Sequence, residues 1–126
     1  MIHEQSVIKS DIFNYLQPSK TSPFLTPKLK RDMLLYLVNT DPPTANGSGT
    51  KCQDLKNYLM NEKKYPVLDQ KQSRSLCHFL GKGLPKFIGG RSEKGYYFNG
   101  NKYDEGDREF IRQCLEKTDI DKLPVL

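Results

Sequence analysis

The sequence is poor in the residue types that build most metal and redox sites. It has three cysteines, Cys52, Cys77 and Cys114, and only two histidines, His3 and His78. Because a zinc site needs about four ligands with local pairing, and no CxxC pair is present, we expect no metal site. An odd number of widely spaced cysteines in apolar helical segments is typical of buried, reduced thiols, which predicts an intracellular protein.

Long apolar runs and catalytic motifs are also missing. No run approaches the length of a membrane span, and the N-terminal residues MIHEQSVIKSD lack the apolar core of a signal peptide. Gly81-Lys82-Gly83 lacks the spacing of a phosphate-binding loop, and adjacent Cys77 and His78 point about 100° apart on a predicted helix. We therefore expect a soluble intracellular protein, nuclear if eukaryotic, that is not an enzyme and uses no cofactor, membrane or small-molecule substrate.

Positive charge is concentrated in the middle of the chain. The 126 residues include 20 Lys and Arg against 15 Asp and Glu, which gives a formal net charge of +5. Residues 63–94 contain eight basic and two acidic side chains, whereas residues 104–122 contain four basic and seven acidic ones. A basic region of this kind favours a polyanionic partner such as nucleic acid.

Apolar residues at helical spacing predict five helices. The predicted segments are 7–16, 27–38, one that starts at Thr50, 70–84 and 107–117. Thr26 and Asp69 are predicted N-caps, and Thr50 with Gln53 matches a capping box. The Pro- and Gly-rich residues 40–49 predict a loop between two of the helices.

The predicted helix over residues 70–84 has two contrasting faces. Its apolar side is formed by Leu76, Cys77, Phe79, Leu80 and Leu84. The opposite side holds six polar residues within an arc of about 140°, namely Gln70, Lys71, Arg74, Ser75, His78 and Lys82. We expect the first side to lie in the core and the second, which has no acidic member, to be free to contact phosphates.

A short β-hairpin is predicted after this helix. Residues 85–88 and 96–98 are rich in β-prone side chains, and residues 89–95 between them contain three glycines. The glycines are expected to let the backbone approach a phosphate closely. Val67 and Leu68, which precede the basic helix, are candidates for a further minimal strand.

The order of these elements predicts an α+β winged helix. Its three-helix core and β-hairpin wing would be flanked by N- and C-terminal helices. The predicted boundaries are residues 1–25 for the N-terminal helix and linker, 26–117 for the winged-helix domain, and 118–126 for a C-terminal tail.

The hairpin resembles the wing of the regulatory factor X (RFX) DNA-binding domains. Residues 88–100 follow the pattern aliphatic-Gly-x-Arg, four residues, then Tyr-x-aromatic-x-Gly. In that family the wing enters the major groove and the third helix lies over the minor groove. The resemblance therefore implies that Arg91 is the leading base contact and Tyr96 a second one. Lys86 matches one of two consecutive wing arginines of the family, and Phe87 stands in place of the other.

We predict on these grounds that the chain binds double-stranded DNA as a regulator of transcription or replication. The candidate contact residues are Lys71, Arg74, Ser75, His78, Lys82, Lys86, Arg91, Lys94 and Tyr96. One alternative is a protein-interaction domain that docks through the N-terminal helix or the acidic C-terminal helix. Another is recognition of RNA or branched DNA by shape.

Overall fold

The computed structural model describes residues 4–18, 22–43 and 47–118, and these residues form an α+β fold. The described elements are α1 (Gln5–Tyr15), α2 (Pro27–Val38), α3 (Cys52–Asn61), α4 (Gln70–Lys82), β1 (Ile88–Arg91), β2 (Gly95–Phe98) and α5 (Glu105–Lys117). Their order is consistent with a winged-helix layout. Beyond Thr118, the predicted C-terminal tail lies outside the described residues. Residues 44–46, at the centre of the predicted 40–49 loop, also lie outside them.

Two predicted helix starts are confirmed by their hydrogen bonds. The Leu29 N–H donates to Oγ1 of Thr26 at 3.2 Å, which caps α2. At the start of α4, the Gln72 N–H donates to Oδ1 of Asp69 at 2.7 Å, and the Asp69 N–H donates to Oε1 of Gln72 at 3.2 Å. This reciprocal pair fixes where the basic helix begins.

The predicted cap of α3 is wrong by one residue. The helix begins at Cys52, and Oδ2 of Asp54 accepts the N–H of Lys51 at 2.9 Å. Thr50, which was expected to cap the helix, instead pairs its backbone with Tyr96 of β2. Sheet pairing satisfies the Thr50 backbone groups, so the cap moves to the following residues.

Thr50 thus adds a third, one-residue pairing segment beside the two strands of the hairpin. Its N–H donates to the Tyr96 carbonyl at 2.8 Å, and the Tyr96 N–H donates to the Thr50 carbonyl at 2.7 Å. The strand expected at Val67 and Leu68 does not form, and Val67 is 82% exposed. The chain segment before α3, rather than the one before α4, therefore lies against the hairpin.

The first strand of the hairpin, predicted over residues 85–88, instead spans Ile88–Arg91, and the turn is tighter than the sequence predicts. Strands β1 and β2 pair antiparallel from Ile88 opposite Phe98 to Arg91 opposite Gly95, so only residues 92–94 form the tip. Gly95 has φ +87°, and a Cβ there would overlap the backbone of Gly49. The close approach that this glycine permits is to the backbone of Gly49 in the same chain.

One hydrophobic core joins the helices and the hairpin. Leu76 and Leu80 of α4 are buried as predicted, and Phe79 and Leu84 are half-buried against the same core. Cys77, which was placed on the apolar side of this helix, is exposed.

The expectation of reduced, buried thiols is wrong for two of the cysteines. Cys52 of α3 and Cys77 of α4 form a disulfide, with their Cα atoms 5.9 Å apart. This bond joins two neighbouring helices whose cysteines lie 25 residues apart in sequence. Cys114 of α5 is a free thiol and is half-buried.

Candidate nucleic-acid interface

The exposed side of α4 carries four of the predicted contact residues in one strip. Lys71, Ser75, His78 and Lys82 follow one another at spacings of three or four, so they lie above each other on the helix surface. Lys71, His78 and Lys82 are exposed and Ser75 is half-buried, while the opposite side of the helix faces the core. Arg74 is exposed at the edge of this strip.

A groove of about 280 Å³ connects the C-terminal end of α4 to the hairpin. Lys82 lines it from the helix, and Arg91 and Ser92 line it from the hairpin. The structure therefore places Arg91, the leading base-contact candidate, and Lys82, the last basic residue of α4, on one continuous surface. Sequence reasoning missed Ser92, although its position next to Arg91 in the turn was a usable signal.

A second hollow, of about 180 Å³, lies on the other side of the strip. Ser75, His78 and Lys82 line it from α4, and Ser22 and Leu25 line it from the segment that precedes α2. Lys82 thus belongs to both depressions and stands at the centre of the surface. Ser22 could not be found from the sequence, because the connector around it has no periodicity from which to infer a neighbour.

The other predicted cations do not line either of these depressions. Lys86 is exposed between α4 and β1, and Lys94 is exposed at the hairpin tip. The carbonyl of Lys94 accepts the N–H of Gly49 at 2.8 Å, which anchors one side of that tip to the body of the protein. Lys71 and Arg74 lie in the first half of α4, away from the hairpin.

The two arginines of this surface, Arg74 and Arg91, differ in their pairing from the other arginines of the fold. Arg31, Arg108 and Arg112 form salt bridges with nearby carboxylates. Within the described part of the chain, no salt bridge is formed by the six basic candidates, which are Lys71, Arg74, Lys82, Lys86, Arg91 and Lys94. Their charges are consequently available to an external anion.

Tyr96 is a packing residue and not the exposed base contact that the resemblance implied. Its residue exposure is 5%, and burial raises the pKa of its phenol. Tyr96 and Phe98 point to the same side of β2 and are both buried, as the alternation of a strand requires. Tyr96 is also one of the residues that line the groove shared by Lys82 and Arg91.

The described residues contain no cluster of three or more His, Cys, Asp or Glu side chains suited to a metal ion. Among the helices of residues 4–18, 22–43 and 47–118, none has both the length and the hydropathy of a membrane span.

No protein-family model matches the chain, and neither a curated protein nor a solved structure shows significant similarity to it. The features of the molecule that bear on its function are consequently the charge, exposure and geometry of the surface formed by α4 and the hairpin. The centre of this surface is the groove between Lys82 and Arg91.

Proposed function

We propose that this chain is a winged-helix protein that binds double-stranded DNA and acts in the control of transcription or replication. The observation that carries the proposal is the groove lined by Lys82 of α4 and Arg91 of the hairpin. A helix and a β-ribbon are the two elements that fit a groove of DNA, and here they share one exposed surface. Cations without salt bridges on both elements supply the phosphate contacts that dominate affinity.

The side chains of this surface suit different contacts. Lys71, Arg74 and Lys82 present charges along α4 to phosphates, and half-buried Ser75 offers a hydroxyl. In line with the RFX resemblance, the wing enters the major groove and the Arg91 guanidinium donates to base edges. An Arg side chain reads O6 and N7 of guanine with two parallel hydrogen bonds, so Arg91 is the proposed source of sequence preference.

Fluorescence anisotropy with a short labelled duplex tests these roles. We expect Arg91→Ala to weaken binding to the preferred sequence by about 1–3 kcal/mol. Lys82→Ala should weaken binding to all sequences and lower the slope of log K against log salt by about one. Lys117→Ala removes the same charge from α5, outside this surface, and should leave Kd nearly unchanged.

Thermal unfolding of the same variants separates contact from stability. Lys82, Arg91 and Lys117 are all exposed, so the three variants should keep the wild-type midpoint. Equal affinity of all three variants, or no duplex binding at low salt, would contradict the proposal. Tighter binding of an RNA duplex or a branched DNA than of a linear DNA duplex would instead indicate recognition by shape.

A groove between α1 and α5 supports a second candidate function, docking of a protein partner. It has a volume of about 440 Å³. Its walls are mostly apolar and include Ile12, Phe13, Leu16, Phe110 and Cys114. Exposed Lys9 and Lys117 also line it, and none of the described lining residues is acidic. The matching partner is an amphipathic helix with an apolar stripe and acidic flanks.

A library of helical peptides tests this candidate. The peptides keep one apolar stripe, while their flanking positions carry Glu, Lys or Ser. We expect enrichment of Glu-flanked peptides on the wild-type chain, and of Lys-flanked peptides on a Lys9→Glu, Lys117→Glu variant. Enrichment that does not depend on charge, or no enrichment at all, would exclude this docking mode.

A further inference from the structure

The disulfide between Cys52 and Cys77 lies beside the proposed interface. Its Cα–Cα distance of 5.9 Å is within the usual range for a disulfide, so α3 and α4 hold the two sulfurs within bonding reach. Cys77 occupies the position directly before His78 of the exposed strip, and three after Arg74. The bond therefore ties the basic helix to its neighbour at the middle of its length.

The two cysteines differ in accessibility. Cys77 is exposed, whereas Cys52 is half-buried where α3 packs on the core. An external thiol or disulfide can therefore reach Cys77 more easily than Cys52. The third cysteine, Cys114, is half-buried in the α1–α5 groove, and desolvation raises the pKa of its thiol. It is consequently a weaker nucleophile at neutral pH than an exposed thiol.

We propose that Cys52 and Cys77 form a reversible redox site whose reaction partner is a low-molecular-weight thiol–disulfide couple of the glutathione class. In the oxidising direction, the Cys77 thiolate attacks the small disulfide RSSR, forms a mixed disulfide and releases one RS⁻. The Cys52 thiolate then attacks the Cys77 sulfur, closes the protein disulfide and releases the second RS⁻. Two protein thiols are oxidised, RSSR is reduced, and the two protons leave with two RSH.

Closure of this bond connects the redox site to the position of α4. Besides the disulfide, a side-chain hydrogen bond between the described residues of α3 and α4 is donated by Nζ of Lys56 to Oγ of Ser73, at 2.7 Å. Opening the disulfide thus removes a covalent tie from the exposed half of the helix–helix contact. If α4 binds DNA as proposed above, the same reaction alters how the helix is presented to the duplex. That consequence rests on the proposed function, whereas the redox site itself does not.

A redox titration of the Cys114→Ser protein tests the site. The folded protein is equilibrated in buffers with different ratios of reduced to oxidised glutathione. Free thiols are then alkylated and counted by intact mass. We expect a single transition, from two alkylated thiols in reducing buffers to none in oxidising buffers, with the protein monomeric throughout. With Cys52→Ser added, Cys77 should stop at the mixed disulfide with glutathione.

Three results would overturn the proposal. The first is that both thiols stay free at every ratio of reduced to oxidised glutathione, and the second is that disulfides form between molecules. The third is that excess dithiothreitol does not open the Cys52–Cys77 bond in the folded protein. Amide hydrogen exchange of residues 70–82 tests the coupling to α4 without any DNA. We expect at least threefold slower exchange in the oxidised form than in the reduced form. Equal exchange rates in both forms would show that the bond does not control the helix.

Discussion

Arg108 of α5 is predicted to be a main anchor of the C-terminal helix. Its side chain is 9% exposed. Nε donates to the carbonyl of Val38, the last residue of α2, at 2.7 Å. Nη1 lies 2.8 Å from Oδ1 of Asp41 and 3.1 Å from Oε1 of Glu105, and the guanidinium carbon is 4.7 Å from the ring centre of Phe98. One side chain thus joins α5 to the end of α2 and to the hairpin.

The contacts of Arg108 set the size of the effect expected for Arg108→Ala. A hydrogen bond from a charged donor contributes about 1.5–3 kcal/mol, and its loss leaves the Val38 carbonyl without this partner. The contact with the Phe98 ring adds about 1 kcal/mol. Asp41 and Glu105 are 79% and 81% exposed, so solvent screens both ion pairs and they add little. Nη2 of Arg108 is buried without a hydrogen-bond partner among the described residues, which offsets part of this gain. We expect a net loss of about 2–3 kcal/mol in the free energy of unfolding.

Urea unfolding followed by circular dichroism measures this loss. With an m-value of about 1–3 kcal/mol/M, the midpoint should fall by roughly 1–3 M. Arg112→Ala is the matched control, because Arg112 lies one turn further along α5 and makes its contacts with Glu109 and with Oδ1 of Asn39 at the exposed surface. The control should cost no more than about 1 kcal/mol. An Arg108→Ala loss as small as that of the control would refute the anchoring argument.

Three further substitutions test the core, the hairpin and a buried phenol. Leu80→Ala should cost about 2–5 kcal/mol of stability, since Leu80 is 2% exposed; a smaller loss would mean that this face of α4 is loosely packed. Gly95→Ala should lower the thermal midpoint strongly because of its positive φ and the overlap with Gly49, whereas Gly100→Ala, which has room for a Cβ, serves as the neutral control. Tyr15→Phe should raise stability by about 1 kcal/mol at neutral pH, because the Tyr15 hydroxyl is buried without a hydrogen-bond partner among the described residues. Burial also raises the pKa of Tyr15 above 10.0, so the unfolded chain loses this proton first; wild-type stability should therefore fall as the pH rises above about 10, and less so in the variant.

Much of the helical framework follows from local sequence signals. Apolar spacing and the Thr26 and Asp69 caps place α2 and α4 to within a few residues, because both signals act within single helices. The hairpin follows from its aromatic strand and glycines. These local rules also place Lys71, His78 and Lys82 on the exposed side of the basic helix.

The features that the sequence did not reveal depend on contacts between distant segments. Thr50 has the pattern of a helix cap, but it pairs with Tyr96 because that backbone lies alongside it in the fold. Tyr96 was assigned to the interface by resemblance, and only the packing of β2 shows that it is buried. The Cys52–Cys77 bond has no local signal, since both residues lie on separate helices.

The most direct test of the central claim is a titration of the isotope-labelled protein with a DNA duplex, followed by amide NMR. We predict that the largest chemical-shift changes fall on residues 70–82 and 90–95, with Lys82 and Arg91 at the centre of the affected surface. Shift changes confined to the residues of the α1–α5 groove, or none at concentrations that saturate anisotropy, would contradict it.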